Sequence, residues 1–172
     1  GDPRHLHYVA RRQRQMCIET DTWRADVADA AIRAGAGLIN DTWAGYEPEL
    51  IEVAGAHQVG YVCSHTGVNT PRTRPHRVHY DDVVADVIKQ TTALAERAVS
   101  CGVPEHKVFI DPTHDFGKNT FHGLELLRRC DELVATGWPV LMALSNKDFI
   151  GETLQRAPVS YTHLTLPTSD LV

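Results

Sequence analysis

The chain alternates between short apolar runs and longer segments whose apolar residues recur every three to four positions. The short runs are rich in branched side chains and favour strands, whereas the longer segments are typical of helices packed on one face. Strands are predicted at Met16–Asp21, Gly37–Asp41, Gly60–Cys63, Val108–Asp111 and Pro139–Leu144. Helices are predicted at Arg24–Ala34, Pro48–His57, Asp81–Cys101 and Phe121–Ala135, with another that begins near Asp148.

This β-α-β-α order predicts a parallel sheet with helices as the connections. An open doubly wound sheet and a (β/α)8 barrel both fit, but the chain has no GxGxxG fingerprint, and polar residues end at least four strands. A barrel site draws on many strands, so we predict the TIM (β/α)8 class. A whole barrel typically needs about 250 residues. We therefore expect a partial barrel of about five parallel strands, truncated at both ends.

The two parts of the chain are expected to differ in origin. Residues 1–157 are predicted to be a central fragment of the barrel. Residues 158–172 do not continue the helical pattern before them, and Val159 to Thr168 looks like a translated sequencing-library adaptor. We therefore predict that this tail is not native and exclude it from the fold.

Composition narrows the class of protein. The chain has 172 residues, 42% of them hydrophobic and 23% charged, which is typical of a soluble globular domain. A net charge of -5 argues against a nucleic-acid partner. The four cysteines form no CxxC pair, which favours reduced thiols and a cytoplasmic location. No apolar run approaches the roughly 20 residues of a membrane span, so no membrane partner is expected.

Four polar residues stand at the ends of different predicted strands: Asp21, Asn40, Asp111 and Lys147. Carboxylates can accept two parallel N–H bonds and a lysine can donate to a carbonyl oxygen, so this set can bind the edge of a flat heterocycle. Alternatively, acids at a barrel rim cap helices or pair with arginine. Because four strand ends carry such residues, we favour a ligand site.

The motifs around these residues resemble, in order and spacing, those of dihydropteroate synthase. They are Thr20-Asp21-Thr22, Ile39-Asn40-Asp41, Asp111-Pro112 followed by Phe116-Gly117-Lys118 and His122, and Ser145-Asn146-Lys147-Asp148-Phe149-Ile150-Gly151. The resemblance implies a pterin-binding (β/α)8 barrel of folate biosynthesis that joins a pterin pyrophosphate to p-aminobenzoate. It also implies Mg²⁺ on the pyrophosphate, with the protein's metal ligand in an absent N-terminal part, and a homodimer for the full-length protein.

The resemblance assigns roles position by position. Asp111 would hold the aminopyrimidinone edge of the pterin, and Asn40 and Asp21 would contact other ring nitrogens. Lys147 would reach the pterin. Phe116 would line the p-aminobenzoate side.

Several positions depart from the family. Thr113, His114 and Asp115 stand where the family usually has glycines in the loop after Asp-Pro, which opposes close approach of the backbone to ligands. Asp148 replaces a Ser or Arg near the p-aminobenzoate carboxylate. Two carboxylates about 4 Å apart repel by roughly 4 kcal/mol at an effective dielectric of 20. Together with Trp43 and Asn146, these departures resemble a second, diverged synthase-like paralogue of actinobacteria.

Four functions stay open at this point, and whether the chain is an enzyme is one of the open questions. The first is a dihydropteroate synthase-like transferase. The second is a degenerate paralogue that binds pterin without making dihydropteroate. The third is a methyltetrahydrofolate-dependent methyltransferase, which would not need Lys147. The fourth is a metal-dependent hydrolase built on Asp111, His114, Asp115 and His65, residue types that suit Zn²⁺ or Mn²⁺; no metal ligand is predicted in the favoured interpretation.

A basic loop offers a further candidate. Its arginines, Arg72, Arg74 and Arg77, together with Lys118, can bind a pyrophosphate or an acidic acceptor, because guanidinium groups match oxyanions. A solvated loop explains the arginines equally well. The three tryptophans are interpreted as packing residues.

Overall fold

The computed structural model describes residues 18–67, 71, 79–145 and 147–155. Its strands form one parallel sheet in the order β1-β2-β3-β4. These strands are β1 (Ile18–Thr22), β2 (Ala36–Asp41), β3 (Gly60–Ser64) and β4 (Val108–Asp111). Strands that neighbour one another in sequence are thus neighbours in the sheet. A doubly wound sheet reverses its order at a switch point, whereas consecutive strands of a barrel do not. The predicted parallel α/β architecture is confirmed.

Helices connect and follow these strands. They are α1 (Ala25–Arg33), α2 (Glu49–His57), α3 (Val83–Ser100), α4 (Thr120–Arg128), α5 (Cys130–Val134) and α6 (Asp148–Leu154), and a 3₁₀ turn, Glu105–Lys107, precedes β4. Polar side chains cap the first turns of α3 and α4. The Asp82 carboxylate accepts the N–H groups of Val84 and Ala85, and Asn119 forms a capping box with His122. None of the described helices has the length and apolarity that crossing a membrane requires.

The core lies between the sheet and the helices. Ile39, Tyr61 and Ile110 are fully buried and share one face of the sheet, because side chains alternate along a strand and the strands are in register. They pack against buried side chains of α2 and α3, such as Leu50 and Val87. The opposite face carries Asp21, Asn40 and Asp111.

Helix α2 approaches the end of α3 closely at Gly55. A Cβ at this position would collide with the carbonyl oxygen of Cys101, and Gly102 follows with φ of +102°. The predicted stop of the helix at Gly102 therefore coincides with the point where the two helices touch.

Two predicted elements are wrong in extent. The fifth strand is reduced to one parallel bridge between Val140 and Ile110, held by backbone bonds on either side of Val140. The chain leaves the ladder after Leu141, and no described strand pairs with its other edge. The predicted helix Phe121–Ala135 is interrupted at Arg129 (φ -111°, ψ 28°), whose guanidinium binds both carboxylate oxygens of Asp82 at 3.0 Å. This tertiary contact replaces regular helix geometry.

Candidate functional site

Four polar residues near the ends of the strands lie on one face of the sheet: Asp21, Asn40, Ser64 and Asp111. Asp21 is in register with Asn40, and Ser64 is in register with Asp111. The Nδ2 of Asn40 donates to Oδ1 of Asp21 at 2.6 Å, and the Ser64 hydroxyl donates to Oδ1 of Asn40 at 3.4 Å. Three adjacent strands therefore present linked carboxylate, amide and hydroxyl groups. Ser64 was missed in the sequence, although the rule that identified the others, a polar residue ending a strand, applies to it.

Asp111 is the most buried carboxylate of this set, with 4% of its surface exposed. Burial raises its pKa, while bonds from Thr113 and the charges of Lys118 and Lys147 oppose that rise. Its Oδ1 accepts the N–H of Thr113 at 2.7 Å. A carboxylate held in this way is oriented in advance to accept N–H donors from a ligand.

Thr113 joins the ends of β3 and β4. Its hydroxyl donates to the carbonyl oxygen of Asp111 and accepts the N–H of His65, both at 3.0 Å. Its φ is +51°, a left-handed conformation that favours glycine and is costly for a β-branched residue. The loop thus keeps the backbone shape of a glycine while a threonine side chain occupies the space beside it.

The ammonium of Lys118 holds the same loop together. It donates to the carbonyl oxygens of His65, Thr113 and Phe116, each at 3.0 Å. Burial lowers the pKa of Lys118 to about 7, and nearby carboxylates, first Asp111, oppose that. Three carbonyl acceptors require all three N–H donors of the charged form. These donors are engaged within the loop, so anion binding by Lys118 stays a prediction and would require at least one of these bonds to be exchanged.

The ammonium group of Lys147 forms an ion pair within the site. Its Nζ lies 3.0 Å from Oδ2 of Asp115, and the two side chains are 21% and 34% exposed. Asp115 belongs to the loop after β4, and Lys147 directly precedes α6. A carboxylate at one of the unusual loop positions thus neutralises the lysine that the resemblance assigns to the ligand.

A cavity of about 270 Å³ opens between this loop, the start of α4 and α6. His114 forms one wall and is 3% exposed, with its ring stacked on Phe149 at 5.0 Å and 14°. Neither ring nitrogen has a hydrogen-bond partner among the described residues. Burial lowers the pKa of His114 to about 4, with Lys118 and Lys147 adding to the effect, so the ring is neutral at pH 7. Residues that also line the cavity are Asp115, Lys118, Asn119, Thr120, Asp148 and Glu152.

Aromatic residues connect the loops that follow β2 and β4. The rings of Trp43 and Phe116 meet edge to face, with centroids 5.2 Å apart. Trp23 packs against Tyr46 in the same manner at 5.7 Å. Both tryptophans make packing contacts in this structure, and Phe116 is half-buried.

The histidines proposed for a metal centre are engaged elsewhere. The Nε2 of His65 lies 2.8 Å from Oδ2 of Asp86, and His114 stacks on Phe149. Within residues 18–67, 79–145 and 147–155, no three His, Cys, Asp or Glu side chains come together as a metal site would require. The arginines Arg72, Arg74 and Arg77 lie outside the described residues, as do Asn146 and the tail from residue 158.

The sequence matches one family model, described as pterin binding enzyme, over residues 4–168. The chain belongs to the pterin-binding enzyme family. It is 64% identical over 143 residues to a protein of Mycobacterium leprae named "Inactive dihydropteroate synthase 2", covering 81% of this chain and 49% of that protein. It is 36% identical over 142 residues to the dihydropteroate synthase of Bacillus subtilis, covering 82% of this chain and 47% of that enzyme.

A solved structure shows that the fold is also similar to that of a dihydropteroate synthase. The dihydropteroate synthase of Thermus thermophilus in complex with 4-aminobenzoate superimposes with a TM-score of 0.80 at 40% identity, over 86% of this chain and 57% of that one. The strands and helices described above are therefore arranged as in a dihydropteroate synthase. The chain spans about half the length of the curated relatives it matches.

Proposed function

We propose that this protein binds a pterin pyrophosphate at the strand ends but condenses it poorly, or not at all, with p-aminobenzoate. The observation that carries the proposal is the ion pair between Lys147 and Asp115. The pterin side of the site keeps its polar groups, whereas the side that would receive the second substrate is altered in charge and shape.

Residues on three of the four described strands support pterin binding. Asp111 is buried and held by Thr113, and Asn40 is hydrogen-bonded to Asp21. Acceptor oxygens and an amide on one face suit the N–H and C=O groups that a pterin carries along its edge. These groups sit on a rigid parallel ladder, which limits how far they can move when a ligand enters.

On the acceptor side, two residues change the charge of the site relative to dihydropteroate synthase. Asp115, which lines the cavity, pairs with Lys147 at 3.0 Å and so cancels a positive charge that would attract the carboxylate of the acceptor. Asp148, at the start of α6, adds a carboxylate to the cavity wall. A second carboxylate brought within about 4 Å is repelled by roughly 4 kcal/mol at an effective dielectric of 20. Both changes act against a carboxylate-bearing amine.

The names of the relatives support a loss of synthase activity in proteins close to this chain. The 64%-identical relative carries the word inactive in its name, while the 36%-identical one is named dihydropteroate synthase. The synthase from Thermus thermophilus holds 4-aminobenzoate in its structure. Synthase activity itself is the second candidate function, since Asp111 and Lys147 are both present.

The experiment uses the complete protein. Calorimetry with the pterin pyrophosphate should show binding, and pteroate formation from p-aminobenzoate should be absent or slow. Asp111→Asn should weaken pterin binding, because the amide replaces an acceptor with a donor, while Glu96→Gln, on the exposed surface of α3, should not. Failure of the pterin pyrophosphate to bind would refute the proposal.

The second part of the proposal, poor use of p-aminobenzoate, is tested by introducing the residues that dihydropteroate synthases usually have at positions 115 and 148. In the double variant Asp115→Gly and Asp148→Ser, kcat/KM for p-aminobenzoate should rise at least about tenfold, because about 1.4 kcal/mol of removed repulsion corresponds to a factor of ten. Pterin affinity should not fall, because Asp21, Asn40 and Asp111 are unchanged and Lys147 loses its partner. A parent protein that already turns over p-aminobenzoate as fast as this variant would favour the synthase.

Other properties of the whole protein are proposed on weaker support. Magnesium is proposed only as the counter-ion of the substrate pyrophosphate; no described cluster fits a protein-held metal, so no step is assigned to one. A cytoplasmic location agrees with the unpaired thiols of Cys63, Cys101 and Cys130. A homodimer is proposed from the resemblance alone, and light scattering of the complete protein tests it.

A further inference from the structure

We infer that the cavity beside Asp148 selects an aromatic amine carrying a positively charged para group, in place of the carboxylate of p-aminobenzoate. The inference rests on the proposed function in one respect: it takes this cavity to be the acceptor side of the pterin site. It goes beyond that function by naming the chemical class of the ligand.

The charges of the lining residues point to a cation. The two ammonium groups near the cavity are already committed, because Lys118 donates to three carbonyl oxygens and Lys147 pairs with Asp115. The carboxylates of Asp148 and Glu152 have no cationic partner among the described residues; Glu152 accepts only the hydroxyl of Thr120. A positively charged group entering the cavity therefore meets two uncompensated carboxylates.

His114 is the independent observation that a ligand belongs here. It is 3% exposed, it forms a wall of the cavity, and neither ring nitrogen has a partner within the described residues. Buried polar atoms are normally hydrogen-bonded, so a side chain in this state indicates that something else supplies the bond. A neutral imidazole can accept one N–H bond and donate another. An amidinium group, with several N–H donors in a plane, donates to the acceptor nitrogen of the ring and to the two carboxylates.

Gly123 fixes this arrangement. A Cβ at this position would lie 2.8 Å from the Phe149 ring, so the absence of a side chain on α4 lets Phe149 pack there. Phe149 in turn carries the stacked His114 ring. The histidine is thus positioned by packing rather than by hydrogen bonds.

Three probes of almost identical shape test the inference on the complete protein: p-aminobenzamidine, p-aminobenzamide and p-aminobenzoate. They share an aniline nitrogen and differ in charge at the para position. We expect the amidine to bind about tenfold more tightly than the acid, with the amide between them, because the two carboxylates attract the amidine and repel the acid. Calorimetry measures the three Kd values with and without saturating pterin pyrophosphate.

Variants separate charge from shape. Asp148→Asn should reduce the ratio of amidine to acid affinity by about threefold or more, whereas Glu96→Gln on the surface of α3 should leave the ratio unchanged. His114→Phe keeps the stacked ring and should weaken amidine binding by about fivefold through the lost hydrogen bond.

The outcomes are distinct. Acid binding as tight as amidine binding, no binding by any probe, or an unchanged ratio in Asp148→Asn would each overturn the inference. If the amidine preference holds but pterin pyrophosphate does not bind, the inference about the cavity stands and the proposed pterin function fails.

Discussion

Replacing His114 with phenylalanine should stabilise the protein while it weakens ligand binding. The ring of His114 is 3% exposed and both of its nitrogens lack partners among the described residues. Phenylalanine keeps an aromatic ring on Phe149, at 5.0 Å between the present centroids, and removes the two polar atoms. A buried polar group without a partner costs about 1–3 kcal/mol. We therefore expect the free energy of unfolding to rise by about 1–2 kcal/mol at pH 7.

The effect should grow as the pH falls. Burial lowers the pKa of His114 from its ordinary value of 6.5 to about 4, so the unfolded chain takes up a proton before the folded one does. Stability from this group is complete above pH 6.5 and is lost as the pH falls towards 4. A difference of 2.5 pH units corresponds to about 3 kcal/mol. The His114→Phe variant lacks the acid-induced loss of stability that His114 causes. It keeps the loss that His65 causes, because the pKa of His65 is also lowered to about 4.

Urea unfolding of the complete protein at pH 7, 6, 5 and 4.5 measures both effects, with midpoints converted through a common m-value. The control is His106→Gln, which changes an exposed histidine in the turn before β4. The two curves for wild type and His114→Phe should diverge on the acid side, while His106→Gln runs parallel to the wild type. A His114→Phe protein that is less stable at pH 7, or that shows the wild-type slope, would refute the burial argument.

Three further changes test the framework around the site by urea unfolding. Gly55→Ala should cost about 2 kcal/mol or more, because the new Cβ collides with the carbonyl oxygen of Cys101; a cost below about 0.5 kcal/mol would show that α2 shifts freely. Thr113→Val should cost more than Thr113→Gly, by about 1–2 kcal/mol, because both lose the hydroxyl but only glycine relieves the φ of +51°. Asp41→Asn should cost about 2 kcal/mol, since its carboxylate accepts the Tyr61 hydroxyl at 2.6 Å and two backbone N–H groups.

The ends of the strands could be predicted because short apolar runs mark the strands and an apolar repeat of three to four residues marks the helices between them. An apolar run that ends in a carboxylate delivers that carboxylate to the edge of the sheet, as Asp111 shows. The register of parallel neighbours then brings Asp21 beside Asn40 without any information about the loops. The extent of the fifth strand was not predictable in this way, since a strand needs partners. Val140 has one bridge to β4, and the pattern of its sequence cannot report what pairs with its other side.

Contacts between side chains of different loops could not be predicted from the sequence. Asp115 and Lys147 are 32 positions apart and share no periodic pattern, so their 3.0 Å contact depends on how two loops close over the sheet. The same holds for Lys118, whose ammonium was available to an anion by sequence and is occupied by three carbonyl oxygens in the structure. A polar side chain next to backbone carbonyls satisfies them first, because leaving buried carbonyls unpaired is costly.

The pattern of substitution itself points to a ligand. The residues proposed to bind the pterin lie on strands of the sheet, whereas Thr113, His114 and Asp115 lie in the loop after β4. Two of these three loop residues are explained locally, because the Thr113 hydroxyl binds the N–H of His65 and the Asp115 carboxylate binds Lys147. His114 is not: it is buried, oriented by stacking on Phe149 and without a hydrogen-bond partner in the described part of the chain. An unpaired ring in this position costs the folded protein about 1–3 kcal/mol, a cost that a ligand hydrogen-bonded to the ring offsets.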